Sequence, residues 1–153
     1  MLIVMAEKAR EILKSRYGVP EKQIRVIPHG IPDRANVAPA SVKPEFDVEG
    51  RAVILTFGLL SPDKGIADMI EAMPAIVRDC PQALYLVLGA THPHIIAREG
   101  ETLRESLQAR ANQLGVRDHV RFVDSFVDLD LLTRSLQAAD VYVTPYRNPN
   151  QIT

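Results

Sequence analysis

The chain lacks the several cysteines of a small disulfide-rich secreted protein and the long apolar run of a membrane protein. Its 153 residues include no tryptophan and a single cysteine, Cys80, which excludes an internal disulfide and suits a reducing compartment. The apolar start, MLIVM, is too short for a signal sequence or a membrane span, and the charged residues Glu7 and Lys8 follow it. We therefore expect a cytoplasmic protein with no membrane span.

An excess of charge of one sign is also missing. Eighteen basic and nineteen acidic side chains give a formal net charge of -1. Because nucleic acid and anionic membranes select broadly cationic surfaces, we expect neither as a partner. The hydrophobic content of 46% is sufficient for one core at this length.

Strand-like apolar segments alternate with segments of helical periodicity along the chain. The strand candidates are residues 2–4, 24–27, 52–57, 83–88, 120–123 and 139–144. The helix candidates cover residues 5–17, 66–77, 99–114 and 129–136, and Pro74 is expected to kink the second of them. The alternation predicts an α/β fold with a Rossmann-like parallel sheet flanked by helices. Frequent prolines in 31–50 predict a linker without regular structure.

The stretch from Ala52 to Gly65, AVILTFGLLSPDKG, is typical of a strand that leads into an anion-binding loop. Gly58 ends the apolar run, and helical spacing resumes at Ile66, which places Lys64 near the start of a helix. The free N–H groups and the positive dipole end of that helix, together with the Lys64 ammonium, favour phosphate. The simpler alternative is that the glycines only turn the chain and that Lys64 is solvated. This stretch alone does not decide between the two.

Two familiar nucleotide motifs do not fit this loop. A Walker phosphate loop needs a glycine before the lysine and a hydroxyl after it, whereas Asp63 and Gly65 flank Lys64. A dinucleotide fingerprint needs three spaced glycines, and only Gly58 is available before Gly65. In an open parallel sheet, ligands bind beyond the carboxyl ends of the strands. We therefore expect the loops after residues 57, 88, 123 and 143 to meet at one rim.

Five short motifs follow one another in a distinctive order. They are Ile27-Pro28-His29-Gly30, the loop GLLSPDKG that starts at Gly58, LYLVLGA, HVRFVDSF and AADVYVTPY. In this order and spacing they resemble the retaining, nucleotide-sugar-dependent glycosyltransferases of the GT-B fold, in family four. The resemblance extends over nearly the whole chain. It implies that residues 1–30 are the last strand and helix of an N-terminal domain, 31–50 a linker, and 51–153 part of the nucleotide-sugar-binding domain.

The resemblance also implies roles for individual residues. Lys64 would neutralise the diphosphate of a nucleoside-diphosphate sugar as the leaving group departs. The residues implied to bind this donor are Gly58, Leu59, Lys64, Gly89, Ser125, Phe126, Val127 and Gln151. His29 and Gly30 are implied to lie in an interdomain cleft, although a turn is the simpler interpretation of His29. No position here is implied to be catalytic, and no cofactor or metal is implied.

The sequence departs from the family pattern at two places. Leu59 stands where the family has an arginine, so half of the usual cationic clamp is absent. The family's pair of glutamates would follow Thr153. We therefore expect a fragment of a GT-B enzyme that is inactive by itself and that self-associates or exchanges its Met1–Gly18 segment. The alternative from another class is a non-catalytic α/β nucleotide-binding or interaction module.

A metal site is the other chemistry that the sequence suggests. His92 and His94 lie two residues apart, with Glu99 and Glu101 nearby. No third ligand has a convincing spacing, so we interpret the imidazoles as loop residues or substrate contacts.

Overall fold

The structure, a computed structural model, describes residues 1–147, which form two compact units, 1–35 and 36–147. In the first unit, strand β1 (Leu2–Val4), helix α1 (Glu7–Tyr17) and strand β2 (Ile24–Val26) follow one another. The two strands pair in parallel, with Leu2 opposite Ile24. Gly18 ends α1 in the left-handed conformation, with φ of 63°.

The second unit contains the larger sheet. Its elements are α2 (Pro39–Val42), β3 (Ala52–Phe57), α3 (Ile66–Asp79), β4 (Ala83–Leu88), α4 (Pro93–Glu99), α5 (Thr102–Gln113), β5 (Val120–Val123), α6 (Leu129–Ala138) and β6 (Val141–Tyr142). Short 3₁₀ helices cover Lys43–Phe46, Pro62–Lys64 and Arg117–His119. None of the helices within residues 1–147 combines the length and the apolar character needed to cross a membrane.

Within residues 36–147 the strands form one parallel sheet in the order β5-β4-β3-β6. Phe57, the last residue of β3, pairs with Leu88, and Leu88 pairs with Val123 at the end of β5. The carboxyl ends of these three strands therefore lie side by side. This arrangement confirms the predicted α/β fold with a parallel sheet flanked by helices.

The sheet separates two apolar clusters because successive side chains of a strand point to opposite faces. Tyr85 and Val87 of β4 pack with Ile70 and Met73 of α3 and with Leu107 of α5. On the other face, a second cluster contains Val48, Val53, Leu55, Leu84, Leu86 and Leu88. Every residue of β4 is buried, as expected for a parallel strand that is covered on both faces.

A short chain of hydrogen bonds crosses the sheet inside this core. The Tyr85 hydroxyl donates to Thr56 Oγ1 at 2.9 Å, and Thr56 Oγ1 donates to the Val143 carbonyl at 3.0 Å. Burial raises the pKa of Tyr85 to about 12. The phenol therefore stays neutral and fixes β4 relative to β3 and to the residue after β6.

The prediction that residues 31–50 lack regular structure is wrong for residues 39–46. Pro39 and Pro44 lie in the first turns of the two short helices there, where a missing N–H costs nothing and the fixed φ favours helix. Val42 and Val48 are buried, so this stretch belongs to the core of the second unit. Frequent prolines therefore do not exclude helix, because a proline fits the first turn of a helix as well as a loop.

Other elements also differ from the prediction. The sequence pattern missed α4, which also begins at a proline, Pro93, and α5 starts at Thr102 rather than near Glu99. The last strand covers only Val141–Tyr142 instead of 139–144. α3 ends at Asp79, two residues beyond the predicted end at residue 77.

Asp140, just before β6, fixes the amino-terminal end of the sheet. Its Oδ2 accepts hydrogen bonds from Lys43 Nζ at 2.6 Å and from the Val53 N–H at 2.7 Å. Partial burial raises the pKa of Asp140, but the hydrogen bonds from Lys43 and Val53 outweigh it, so the net pKa is below its ordinary value. The ionised carboxylate therefore stabilises the folded state.

Replacing this carboxylate should change the acid dependence of folding. The stabilisation by Asp140 is present above its unfolded-state pKa of about 3.9 and is lost as the pH falls through the lower folded-state pKa. We expect Asp140→Asn to be less stable than wild type at pH 7, and the difference to shrink below about pH 4. Urea unfolding between pH 2.5 and 7 measures this difference. Asp79→Asn removes an exposed carboxylate as a control, and a difference that does not vary with pH would contradict the assignment.

The segment after β6 packs closely against the start of α3. A Cβ on Gly65 would lie 1.8 Å from the Pro145 carbonyl oxygen, and Gly65 has φ of 65°. The Arg147 N–H donates to the Asp63 carbonyl at 3.0 Å, and the Arg147 guanidinium pairs with Asp68. Only glycine at position 65 allows this approach.

Substitution of Gly65 should therefore cost more than backbone strain alone. Gly115 has a similar φ of 70° but no atom within 4 Å of its added Cβ, which makes Gly115→Ala the matched control. We expect the control to lose roughly 1–2 kcal/mol through left-handed strain, and Gly65→Ala to lose more because Pro145 must move. Urea unfolding of the two variants measures both losses. Equal losses would show that the contact with Pro145 is unimportant.

Candidate functional site

The loops after β3, β4 and β5 enclose a cleft of about 190 Å³ at the carboxyl ends of these strands. Its lining comes from all three loops: Phe57, Gly58, Leu59, Gly89, Ala90, Ser125, Phe126 and Val127. The structure thus brings together six of the residues that the family resemblance implies at a donor site. They meet because the three strands end in register.

Two glycines allow the first two loops to approach each other. Gly58 and Gly89 both have positive φ, 131° and 142°, and a Cβ on Gly89 would lie 2.2 Å from the Gly58 carbonyl oxygen. The Gly58 N–H donates to the Leu88 carbonyl at 3.0 Å, which continues the ladder past the strand ends. Gly58 and Gly89 both line the cleft, so this approach brings its first two walls together.

The third wall is the loop between β5 and α6. Its start is fixed by the Gly89 N–H, which donates to the Val123 carbonyl at 2.9 Å. Its end is fixed by Asp128, whose side chain accepts from the Leu131 N–H at 2.8 Å and caps α6. Between these two points, Phe126 is 75% exposed and presents an aromatic ring at the edge of the cleft.

Lys64 lies beside the cleft. Its Nζ is 3.5 Å from the point that a Cβ on Gly58 would occupy, so the ammonium lies next to the backbone at the end of β3. Nζ also lies 4.2 Å from the centre of the Tyr146 ring. Such a cation–π contact is worth about 0.5–1 kcal/mol at an exposed site, less than the pairing of an ammonium with a charged phosphate. The arrangement holds the cation near the cleft and leaves it able to pair with an anion.

The other predicted site residues lie elsewhere. His29 and Gly30 belong to the first unit, in an exposed irregular segment after β2, and their assignment to an interdomain cleft stays a prediction. Gln151 lies outside the described residues. The rings of His92 and His94 stack with centres 5.3 Å apart, and the His94 N–H donates to His92 Nδ1 at 3.2 Å.

Two residues near the cleft were missed by the sequence analysis. Tyr146 is the last residue of the AADVYVTPY motif, and its contact with Lys64 cannot be inferred without the register between β3 and β6. Arg104 lies on α5, yet it is 6% exposed and bonds to the loops after β4 and β5. Arg104 lies on the buried face of α5, at helical spacing from Leu107 and Ala111, but a charged arginine is ordinarily expected to be exposed.

The lining of the cleft favours the binding of a particular kind of chemical group. Its lining is mainly apolar and backbone, which suits a flat apolar group with polar edges, and a cation lies at one side. The volume is below the roughly 300–1,000 Å³ typical of pockets that enclose a whole ligand. The cleft therefore has room for one part of a ligand.

Known proteins share both this sequence pattern and this fold. The chain is 28% identical over 153 residues to mannosylfructose-phosphate synthase of Agrobacterium fabrum. It is 27% identical over 143 residues to a GDP-mannose-dependent alpha-(1-6)-phosphatidylinositol monomannoside mannosyltransferase of Mycolicibacterium smegmatis. These alignments cover 96% and 90% of the chain. The chain spans about a third of the length of these curated relatives, 33% and 34%.

Solved structures show the same fold. HepE of Anabaena, crystallised in complex with UDP, superimposes with a TM-score of 0.77 at 18% identity, over 100% of this chain and 40% of that one. The fold is that of the GT-B glycosyltransferases. The family model described as "Glycosyl transferases group 1" matches residues 39–149, which include every residue of the cleft. The chain therefore belongs to the group 1 glycosyltransferases.

Proposed function

We propose that the cleft binds the nucleoside diphosphate of a sugar donor, and that this chain is the donor-binding part of a glycosyltransferase that acts with retention of configuration. The observation that carries the proposal is the position of Lys64 Nζ beside Gly58, at the side of a cleft built by three loops. Here a fixed cation can stabilise a diphosphate leaving group as its charge develops.

The apolar lining of the cleft and the position of Lys64 at its side suggest how the donor lies. The apolar lining and the exposed ring of Phe126 suit a nucleobase, because stacking on an aromatic ring tolerates any base. The diphosphate then extends towards Lys64 and the glycine loop. This orientation agrees with the small volume of the cleft, about 190 Å³.

The nucleobase and the sugar are open within this proposal. One relative is described as GDP-mannose-dependent, and one structural neighbour holds UDP. Retention of configuration is supported by the family resemblance. We also propose that these 153 residues alone do not transfer sugar, since the relatives with this activity are about three times as long.

Removal of the Lys64 charge tests the proposal directly. We expect wild-type protein to bind at least one of uridine, guanosine and adenosine diphosphate in calorimetric titrations. Lys64→Gln should weaken that binding about tenfold or more, because a charged hydrogen bond is worth about 1.5–3 kcal/mol. Binding by wild type should weaken with added salt more steeply than binding by the variant.

Arg78→Gln is the matched control, because it removes one positive charge from the far end of the adjacent helix α3. The control should bind as wild type does. If wild type binds none of the three diphosphates, the proposed function is wrong. If both variants lose affinity equally, Lys64 has no specific role.

Leu59 offers a test by gain of affinity. It lines the cleft at the position where the family resemblance expects a second cation. We expect Leu59→Arg to tighten diphosphate binding about three- to tenfold, in line with one added charged contact. Leu59→Met, which keeps an apolar side chain, should leave affinity unchanged. Weaker binding by Leu59→Arg than by Leu59→Met would mean that position 59 does not face the diphosphate.

A further inference from the structure

Arg104, in the first turn of α5, is a buried cation that the cleft lining does not include. Its side chain is 7% exposed, in contrast to Arg110 on the same helix, whose side chain is 44% exposed and pairs with Glu71 of α3. Burial of a guanidinium is costly unless its donors find acceptors. The acceptors of the Arg104 hydrogen bonds therefore indicate the role of this side chain.

Arg104 bonds to the two segments that follow β4 and β5. Nη2 donates to Asp124 Oδ1 at 2.6 Å, to the Gly89 carbonyl at 3.2 Å and to Thr91 Oγ1 at 3.2 Å. Nε donates to Glu101 Oε2 at 3.2 Å, and Thr91 Oγ1 donates to the same oxygen at 2.7 Å. The hydrogen bond from Thr91, followed by the contacts with Arg104, holds the pKa of Glu101 below its ordinary value. One guanidinium thus joins two loops and its own helix.

These acceptors are adjacent to the walls of the cleft. Gly89 lines the cleft and lies against Gly58. Thr91 forms an isolated bridge with Leu60, next to Leu59 in the first wall. Asp124 directly precedes Ser125, the first lining residue of the third wall. A single side chain therefore connects all three walls, directly or through one neighbour.

A contribution to folding stability does not by itself explain why an arginine occupies position 104. Arg104 Nη1 is buried and has no hydrogen-bond partner among residues 1–147. A buried ion cluster is often matched or exceeded in stability by an apolar side chain of similar size, and an unpaired buried donor adds a cost. What an apolar side chain cannot supply is a planar set of donors that fixes several acceptors in one geometry.

We propose that Arg104 is a positioning residue that sets the spacing of the three cleft walls and thereby the affinity for the nucleoside. This inference rests on the proposed function. It predicts that Lys64 determines the affinity for the diphosphate, whereas Arg104 determines the additional affinity that the nucleoside contributes. Lys64 does not share an acceptor with Arg104, so the two effects are separable.

The test compares Arg104→Met with Arg110→Met, which removes an ion pair from the same helix without touching the walls. The probes are inorganic pyrophosphate and uridine and guanosine diphosphates, titrated into the full chain. We expect Arg104→Met to lose about tenfold or more in affinity for whichever nucleoside diphosphate wild type binds, equivalent to about 1.4 kcal/mol. Its affinity for pyrophosphate, and both affinities of Arg110→Met, should stay within about twofold of wild type.

A conservative variant separates positioning from loss of folding. Arg104→Lys keeps the charge but can reach fewer acceptors, so its nucleoside diphosphate affinity should fall between those of wild type and Arg104→Met. Asp124→Asn, which weakens one contact only, gives a second reading if Arg104→Met does not fold. Its nucleoside diphosphate affinity should fall without a fall in pyrophosphate affinity.

The outcomes distinguish this inference from the proposed function. If wild type binds pyrophosphate and a nucleoside diphosphate, and Arg104→Met binds both as wild type does, only the role of Arg104 is wrong. Equal losses for pyrophosphate and nucleoside diphosphate would indicate a merely structural role and would also overturn it. If wild type binds no nucleoside diphosphate, the proposed function fails and this inference with it.

Discussion

The close approach of two backbone segments determines the geometry of the candidate site. Gly89 lies so near the Gly58 carbonyl that an added Cβ would be 2.2 Å from its oxygen, and both glycines have positive φ. This contact is possible because β3 and β4 end at paired residues, Phe57 and Leu88. Both glycines line the cleft, Lys64 Nζ lies beside Gly58, and Arg104 bonds to the Gly89 carbonyl.

The electrostatics of the site follow from how each cation is held. Arg104 is buried among fixed acceptors, so its charge is largely matched by Glu101 and Asp124. Lys64 is held by the face of Tyr146, a weaker partner, and its charge is available for an anion. Arg104 therefore maintains the shape of the cleft, and Lys64 can pair with an anionic ligand.

The sequence predicted the parts of this arrangement that depend on local pattern. Apolar runs ended by glycine located β3 and β4, and the rule for parallel sheets indicated that Gly58, Gly89 and Ser125 would meet at one rim. The pattern failed where proline begins a helix, at Pro39 and Pro93, because a proline is equally typical of a loop. Contacts between distant segments, such as Lys64 with Tyr146 and Arg104 with Asp124, depend on register and packing and have no signature in the sequence.

The most direct test of the central claim, that three loops form one nucleotide site, is backbone amide NMR during titration with uridine or guanosine diphosphate. We expect the amides of 58–61, 63–65, 89–91 and 125–127 to shift together with one affinity. The amide signals near Lys43 and Arg51, at the opposite end of the sheet, should not shift. Shifts confined to that opposite end, or absent from the loop after β5, would show that the three loops do not form one nucleotide site.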